Sequence, residues 1–592
     1  MITIDKSSCL VLVLDRRINA KEILFSLFND SKKYLVFDVS DDFIEESFKL
    51  SLEIKKILPD ITVVILSKTL DAYNAFQKIE SHVFDIHVAA SKDDFLSLGL
   101  DSFRVIYRNE DGKVDASLPH KNYDLTYDVG IILMPAWNND FPPFGLAHLS
   151  SSLRGRGIGT MVIDANVEFW REIKRRSLSR VEFENLVLWI EKEKYIVKGK
   201  AIVEEIANHV LYQIERSGLK YVGFSLFQSN LFATEDILIQ IKQRFPHLKT
   251  FIGGPSCTKG LAHQWFERQL IDGAVFGEGE YTVIDLVKFF QNGNPKVVAG
   301  AWVRSGDDLI KGPERALAEL DQLPLPNFDD FPVYHYHTFA LPIFFGRGCI
   351  AKCTFCYETQ YWKKFRVLSP AKIVDSMELA VQKYGLNLFQ VNDSLMNGDV
   401  ELLEAVADEI LRRGLKVYYR GYCRLDKKLN QRIFDKLSRS GCKTISYGLE
   451  SASQKVINLM RKGVQVTDYD RLIRETHQSG IACAVCVMVG FPGENWLDYF
   501  KTVWCLLKNS AYIDEMNLSI FEPPEGTPVF EKRDTFGIEF DEDRTRFWKS
   551  KLDNNTHPVR YFRYRLLRKL WLLRKQKKVS IGGWDFEYGT GL

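Results

Sequence analysis

Apolar and polar positions along the chain switch repeatedly between short β-rich runs and helical spacing, predicting an α/β protein built of several units. β-rich runs at 9–14, 34–39 and 62–66, with a helical stretch at 42–58, predict a small α/β unit with parallel pairing over residues 1–125. A second alternation begins at Asp128: strands at 129–134, 159–163, 221–226, 250–252 and 273–276, a loop at 135–143, and a helix over 144–156. Ile237, Leu238 and Ile241 mark a further helix. Small-residue turns follow several of these strands, among them Gly253-Gly254-Pro255 and Gly277-Glu278-Gly279-Glu280. In a doubly wound sheet the ligand crevice lies off the carboxyl ends of the strands. Glycine there lets backbone approach a bulky ligand closely.

Prolines at 324 and 326 fix the backbone into an extended segment. They place a linker at 319–338, between a domain at 126–318 and a third unit at 339–535. In that unit strands are predicted at 339–345, 387–391, 416–422, 444–447, 481–489 and 515–520, alternating with helices. The remainder, 536–592, reads as a C-terminal helical region and tail. Residues 560–578 form a basic helix with Phe562, Leu566, Leu570 and Leu573 at helical spacing. The expectation is that this apolar stripe packs on the preceding domain and leaves a solvated basic face. A membrane surface and an acidic substrate are the other readings. The tail at 582–592, with Trp584, Phe586 and Tyr588, is placed to close over a substrate opening.

At 592 residues the chain is too long for one core and implies three or four domains. A charged content of 26% is that of a soluble globular protein, and a net charge of +2 supplies no basic field for nucleic acid. No apolar run approaches the roughly 18 residues of a membrane span. The run 9–14, soon broken by Asp15, is too short for a signal peptide and reads as a strand. Ten scattered cysteines make no disulfide framework and fit a reduced, cytoplasmic setting.

Three of those cysteines, Cys349, Cys353 and Cys356, lie in the stretch G-R-G-C-I-A-K-C-T-F-C-Y at 346–357. Structural zinc is closed by four Cys or His ligands at recurring spacings, and the nearest histidines, His335 and His337, do not complete such a set. Free cysteine also packs as a small hydrophobe, but Gly346, Arg347, Gly348 and Lys352 make a poor core strand. A loop with this spacing can instead hold three corners of an iron-sulfur cube and leave its fourth iron open.

The stretch resembles the cysteine loop of the radical S-adenosylmethionine (SAM) superfamily, and further similarities follow in order over about two hundred residues. They are Asn392-Asp393-Ser394 after the second strand, the G-x-E-S-x-S stretch at 448–453, Gly490-Phe491-Pro492-Gly493-Glu494 after the fifth, and Glu522 to Pro528 after the sixth. The resemblance implies a partial (β/α)6 barrel whose Cys349, Cys353 and Cys356 ligate a 4Fe-4S cluster. The open iron chelates the amino and carboxylate groups of SAM, and reductive cleavage gives a 5′-deoxyadenosyl radical. It further implies that Phe355, Asn392, Asp393, Ser394, Arg424, Glu450, Ser451 and Gly490 contact the cofactor. Glu450 serves as acceptor for a diol or ammonium group, and the Gly490 strand as backbone partner of adenine.

Upstream, P-P-x-G-L at 142–146, Ser225, Gly253-Gly254 and the Gly-Glu-Gly-Glu turn resemble the Rossmann-like cobalamin-binding domain fused to many of these enzymes. This implies cobalamin held near Pro143, Gly145, Ser225, Phe227, Gly253, Gly254, Gly277 and Glu278. Asp85-Ile86-His87 is superficially similar to a D-x-H-x-x-G loop, but Ala90 replaces its glycine and its partners are too distant. No histidine below cobalt is therefore implied.

Cys483 and Cys486 form a C-x-x-C pair, but strand alternation sends their side chains to opposite faces, so they read as packing residues, with one able to face the barrel interior. Nothing after Cys505 supplies an auxiliary cluster. The combined expectation is a cobalamin-dependent methyltransferase acting on an unactivated carbon of a small-molecule or natural-product substrate. It would be a monomer served by a reductase, flavodoxin or ferredoxin as electron donor. Cyclisation, oxidation or rearrangement with the same cofactors is one alternative, and a sensor without turnover another.

Overall fold

A computed structural model describes residues 127–575, apart from 334, 335, 339, 542 and 543, together with the backbone of seven short strands before residue 127. Five of these, Thr3–Ile4, Cys9–Leu14, Tyr34–Val39, Thr62–Leu66 and Ile86–Ala89, form one sheet in chain order, the last four parallel. The helix expected at 42–58, the His87 side chain and the tail at 582–592 lie outside the described residues.

The next unit is a seven-stranded sheet. Five parallel strands run in the order Thr160–Asp164, Val129–Leu133, Tyr221–Ser225, Lys249–Gly253 and Gly273–Val275. An antiparallel hairpin, Ala301–Ser305 with Asp308–Lys311, extends the last edge. Every residue of Val129–Leu133 is buried because helices cover both faces, as parallel sheets require. Alternation divides the strand: Ile131 and Leu133 face the helices Phe144–Arg154 and Thr282–Asn292. Ile132 and Met134 face the opposite layer, with Lys200–Ser217 and Leu231–Arg244. Neither the hairpin nor the helical segment from Ala165 to Ser217 was expected from the sequence.

The third unit is a six-stranded, fully parallel sheet in chain order: Ala340–Ile343, Leu388–Val391, Tyr418–Cys423, Cys442–Glu450, Ala482–Val489 and Glu515–Ile520. Helices between the strands, such as Pro370–Tyr384 and Val400–Arg413, bury one face each and end in left-handed glycines, Gly385 and Gly414. On Tyr418–Cys423, Tyr419, Gly421 and Cys423 are buried under the helices, whereas Tyr418, Arg420 and Tyr422 point into the open concave side. One hydrophobic core runs without a break from Val129 and Leu146 to Phe344, Phe389 and Val485, so the two units share an interior.

The C-terminal helix His557–Lys575 docks on the barrel, but only half of the expected stripe takes part: Leu566 and Leu570 pack, partly buried, against the core. Phe562 and Leu573 are exposed, and the inward row is Arg560, Arg563, Leu567 and Trp571. Two arginines can occupy a buried row because their guanidinium groups are bonded. Arg560 donates to the carbonyls of Asn555 and Trp548 at 2.9 and 2.8 Å and lies 3.9 Å over the Trp548 ring. Arg563 donates to the Glu494 carbonyl and carboxylate, each at 3.1 Å.

Candidate active site

The cysteine loop leaves the carboxyl end of the first barrel strand through a short antiparallel ribbon, Gly346–Arg347 with Arg366–Val367. Gly348 has φ +86°, and a Cβ there would lie 2.8 Å from the Lys364 carbonyl, so the turn into Cys349 admits only glycine. Asp393 accepts the backbone N–H groups of Phe345 and Gly346 at 2.9 and 2.7 Å, and Thr354 N–H donates to the Met460 carbonyl at 2.9 Å. The loop is thereby fixed at its root and its middle.

Its three thiols are unpaired, and burial pushes each pKa up, Cys356 to about 11. Cys349 raises the pKa of both Cys353 and Cys356, so the three lie within electrostatic reach of one another, while the cations of Lys462 and Arg424 act against burial at Cys349 and Cys353. Among the described residues no three His, Cys, Asp or Glu side chains converge on a single-ion site. Three soft thiolates spread round a loop, without a fourth ligand, fit a cluster bridging several irons rather than one tetrahedral zinc.

Facing the loop is Glu450, at a β-bulge where φ is +60°. Its carboxylate lies 3.1 Å from the Lys462 ammonium, and Lys462 in turn stands 6.0 Å from the Phe355 ring centre. Arg424 donates to the carbonyls of Lys462 and Gly463 at 3.0 and 2.7 Å and so supports the segment that carries the lysine. Asn392 and Ser394 are exposed at the end of the second strand, and the Ser394 hydroxyl reaches Glu358.

Three expected contacts are engaged elsewhere. Asp393 is buried and turned back to the loop root, with its pKa pushed up to about 8 by burial. Ser451 is fully buried, 3.1 Å from the Thr502 hydroxyl. Gly490 packs under Arg560, its N–H donates to Glu494 at 2.7 Å, and its carbonyl accepts from Asn555 at 3.0 Å. Lys462 was missed because it lies outside the G-x-E-S-x-S stretch; the bonds of Arg424 and Thr354 to its segment bring it to the thiols.

On the concave face, strand register aligns Arg420 with Gln390 and Thr444, Tyr422 with Ser446, and Cys486 with Gly448 and Asn517. Arg420 donates to the Gln390 side chain at 2.7 Å. Cys483 is wholly buried in the core, whereas Cys486 is partly accessible and has its pKa pushed up to about 12, chiefly by burial.

At the carboxyl edge of the Rossmann-like sheet, Phe227 stacks on Trp137 with ring centres 3.8 Å apart. Asn230 secures that turn, accepting from Phe227 N–H at 2.9 Å and donating to the Ser225 carbonyl at 3.0 Å. Gly254 has φ +96° and sits against Leu226 and Ser225, leaving Gly253 beside it at the edge. Pro143 caps the helix on which Gly145 is exposed, with no atom within 4 Å of where its Cβ would be. Gly277 is likewise exposed and open. Gly145 and Gly277 leave this edge open beside the aromatic pair, whereas Gly254 is closed in by Leu226, and the edge is the candidate cradle for a flat, bulky ring. Glu278 does not line it: its carboxylate accepts from Arg347 at 3.0 Å, from Arg366, and from Ala318 N–H at 2.8 Å.

The six-stranded parallel sheet with a cysteine loop at the carboxyl end of its first strand defines a radical SAM domain. Residues 343–503 match the radical SAM superfamily model. An uncharacterized methyltransferase of Pyrococcus horikoshii is 24% identical over 286 residues, 47% of this chain and 62% of that protein. An anaerobic magnesium-protoporphyrin IX monomethyl ester cyclase of Cereibacter sphaeroides is 24% identical over 326 residues, 52% of each chain. The match thus spans half to three fifths of these relatives. Among solved structures, the radical SAM methyltransferase TsrM of Kitasatospora setae, with cobalamin and a 4Fe-4S cluster bound, superimposes with a TM-score of 0.52 at 17% identity, covering 70% of this chain and 80% of that one. The cobalamin-dependent radical SAM enzyme OxsB gives 0.53 at 16% identity, covering 75% and 61%.

Proposed function

We propose that the protein methylates an unactivated carbon of a small-molecule substrate, using a 4Fe-4S cluster, SAM and cobalamin. The observation that carries this reading is the three-thiol loop at the carboxyl end of the first barrel strand, with the open strand-end edge beside Trp137 and Phe227 on the domain docked against the same barrel. When bound, these groups supply an electron for homolysis of the SAM sulfur-carbon bond and a methyl group for transfer.

The chain's own residues would do the rest. Cys349, Cys353 and Cys356 ligate three irons as thiolates, and Lys462 and Arg424 place positive charge where those anions form. Lys462 and Glu450 offer a cation and a carboxylate side by side, complementary to the carboxylate and ammonium of an amino-acid group. Asn392 and Ser394 add exposed polar groups at the next strand end. Arg420, Tyr422, Cys486 and Asn517 line the concave side and would orient the substrate, and closure by the docked domain excludes water. A low-potential flavodoxin, ferredoxin or reductase would deliver the electron.

Likeness to the cyclase supports a second outcome, ring formation with the same cofactors. Anaerobically reconstituted protein, given cobalamin, SAM, a reductant and candidate substrates, separates the two. 5′-Deoxyadenosine together with S-adenosylhomocysteine identifies methylation; deoxyadenosine alone identifies the second outcome. Retention of cluster absorbance after Cys349, Cys353 and Cys356 are all replaced by Ala would overturn both.

A further inference from the structure

Where the Rossmann-like domain meets the cysteine loop, four buried charges come together. Arg347, two residues before Cys349, donates to Glu278 at 3.0 Å and to Glu280. Arg366, its neighbour across the ribbon, donates to the same Glu278 oxygen and, at 2.6 Å, to the Ala318 carbonyl. All four side chains are at most 13% exposed. The Arg347 guanidinium is also held between the rings of Phe344 and Trp362, each 5.2 Å away. Both carboxylates belong to the turn that leaves the last parallel strand of the Rossmann-like sheet, and both arginines to the ribbon that carries the cysteine loop.

Two arginines against two glutamates leave the cluster neutral. Such buried, bidentate pairs have narrow geometry and are costly to break singly. Sliding either domain by an ångström breaks several of these bonds at once, so the contact has one register. We propose that the Glu278, Glu280, Arg347 and Arg366 quartet is the positioning device that fixes the cradle of the Rossmann-like domain relative to the cysteine loop. Their charged groups are engaged with one another rather than offered to either proposed cofactor. The inference rests on the proposed cofactors, because it concerns the separation between them.

The test uses the full chain reconstituted with cluster and cob(II)alamin, in wild-type form and as E278Q, E278D and R366K. The readouts are iron and cobalamin content, and the spin-spin interaction between reduced cluster and cob(II)alamin seen by electron paramagnetic resonance. The expected result is wild-type cofactor content in all three variants. The interaction should be weakened or heterogeneous in E278Q, and shifted to a single new value in E278D, whose carboxylate is retracted. With a substrate in hand, transfer should fall by about 10²-fold relative to SAM cleavage, as for a ~1 Å misplacement. An unchanged spin-spin interaction in E278Q and E278D overturns the proposal, as does selective loss of cobalamin from E278Q. R366K keeps the charge and guards against a folding defect in the other two. Failure of wild-type protein to bind cobalamin or cluster would instead sink the proposed function.

Discussion

Lys462 Nζ lies 3.1 Å from Glu450 Oε1, with only 10% and 12% of the two side chains exposed, beside the three thiols of the cysteine loop. Neither residue has a reason to be charged in that interior without the other. Lys462→Met should therefore leave a buried carboxylate unpaired and cost about 3 kcal/mol of stability. Urea unfolding of the apoprotein measures it. A change below about 1 kcal/mol would mean that water already screens the pair.

His148 lies on the helix Phe144–Arg154, buried between Phe144 and Phe344 with ring centres at 4.7 and 5.1 Å, and neither ring nitrogen has a hydrogen-bond partner among the described residues. Burial holds its pKa down to about 3. The unfolded chain takes up a proton near pH 6.5 that the folded protein refuses, so stability is lost as pH falls from about 6.5 towards 3. His148→Phe should stabilise the protein by about 1–3 kcal/mol near neutral pH. It should also flatten that acid limb in thermal melts across the range. Equal pH slopes in both proteins would assign the ring a hydrogen-bond partner.

Gly490 has φ +85°, and a Cβ there would lie 2.3 Å from Arg560 Cδ. Gly490→Ala should cost about 3 kcal/mol, combining left-handed strain with overpacking. In an Arg560→Ala background the same change should cost only about 1 kcal/mol, the strain alone. A double-mutant cycle by chemical denaturation checks it; additive effects would separate the two residues.

Asp393→Ala should strip the Phe345 and Gly346 N–H groups of their acceptor. Two buried donors left open cost about 2–4 kcal/mol, and because they root the cysteine loop, iron retained after desalting should also fall. Asp393→Asn, which keeps an acceptor, should restore most of it. If Ala and Asn variants hold iron equally, the carboxylate has no part in supporting the loop.

The alternation of strands and helices was legible because burial on both faces of a parallel sheet forces continuous apolar runs, as at Val129–Leu133. The cysteine loop was legible because its three cysteines are close in sequence. The C-terminal helix shows the limit of pattern reading: Phe562, Leu566, Leu570 and Leu573 have the right spacing, but only Leu566 and Leu570 pack on the core. Even so, Arg560 and Arg563 turn inward, because distant carbonyls at Asn555, Trp548 and Glu494 satisfy them. The same holds at the Gly-Glu-Gly-Glu turn, where Glu278 reads as a cofactor contact until Arg347 and Arg366 meet it from another domain.

By itself, then, the sequence determined the parallel strands of both sheets and the three thiols, since each depends on neighbours within a few residues. Tertiary structure alone decided that Lys462 faces those thiols, that Asp393, Ser451 and Gly490 support the frame, and that a quartet of charges joins cradle to loop. The physical reason is that a buried charge or hydrogen bond is defined by its partner, and these partners lie 12 to 88 residues away along the chain.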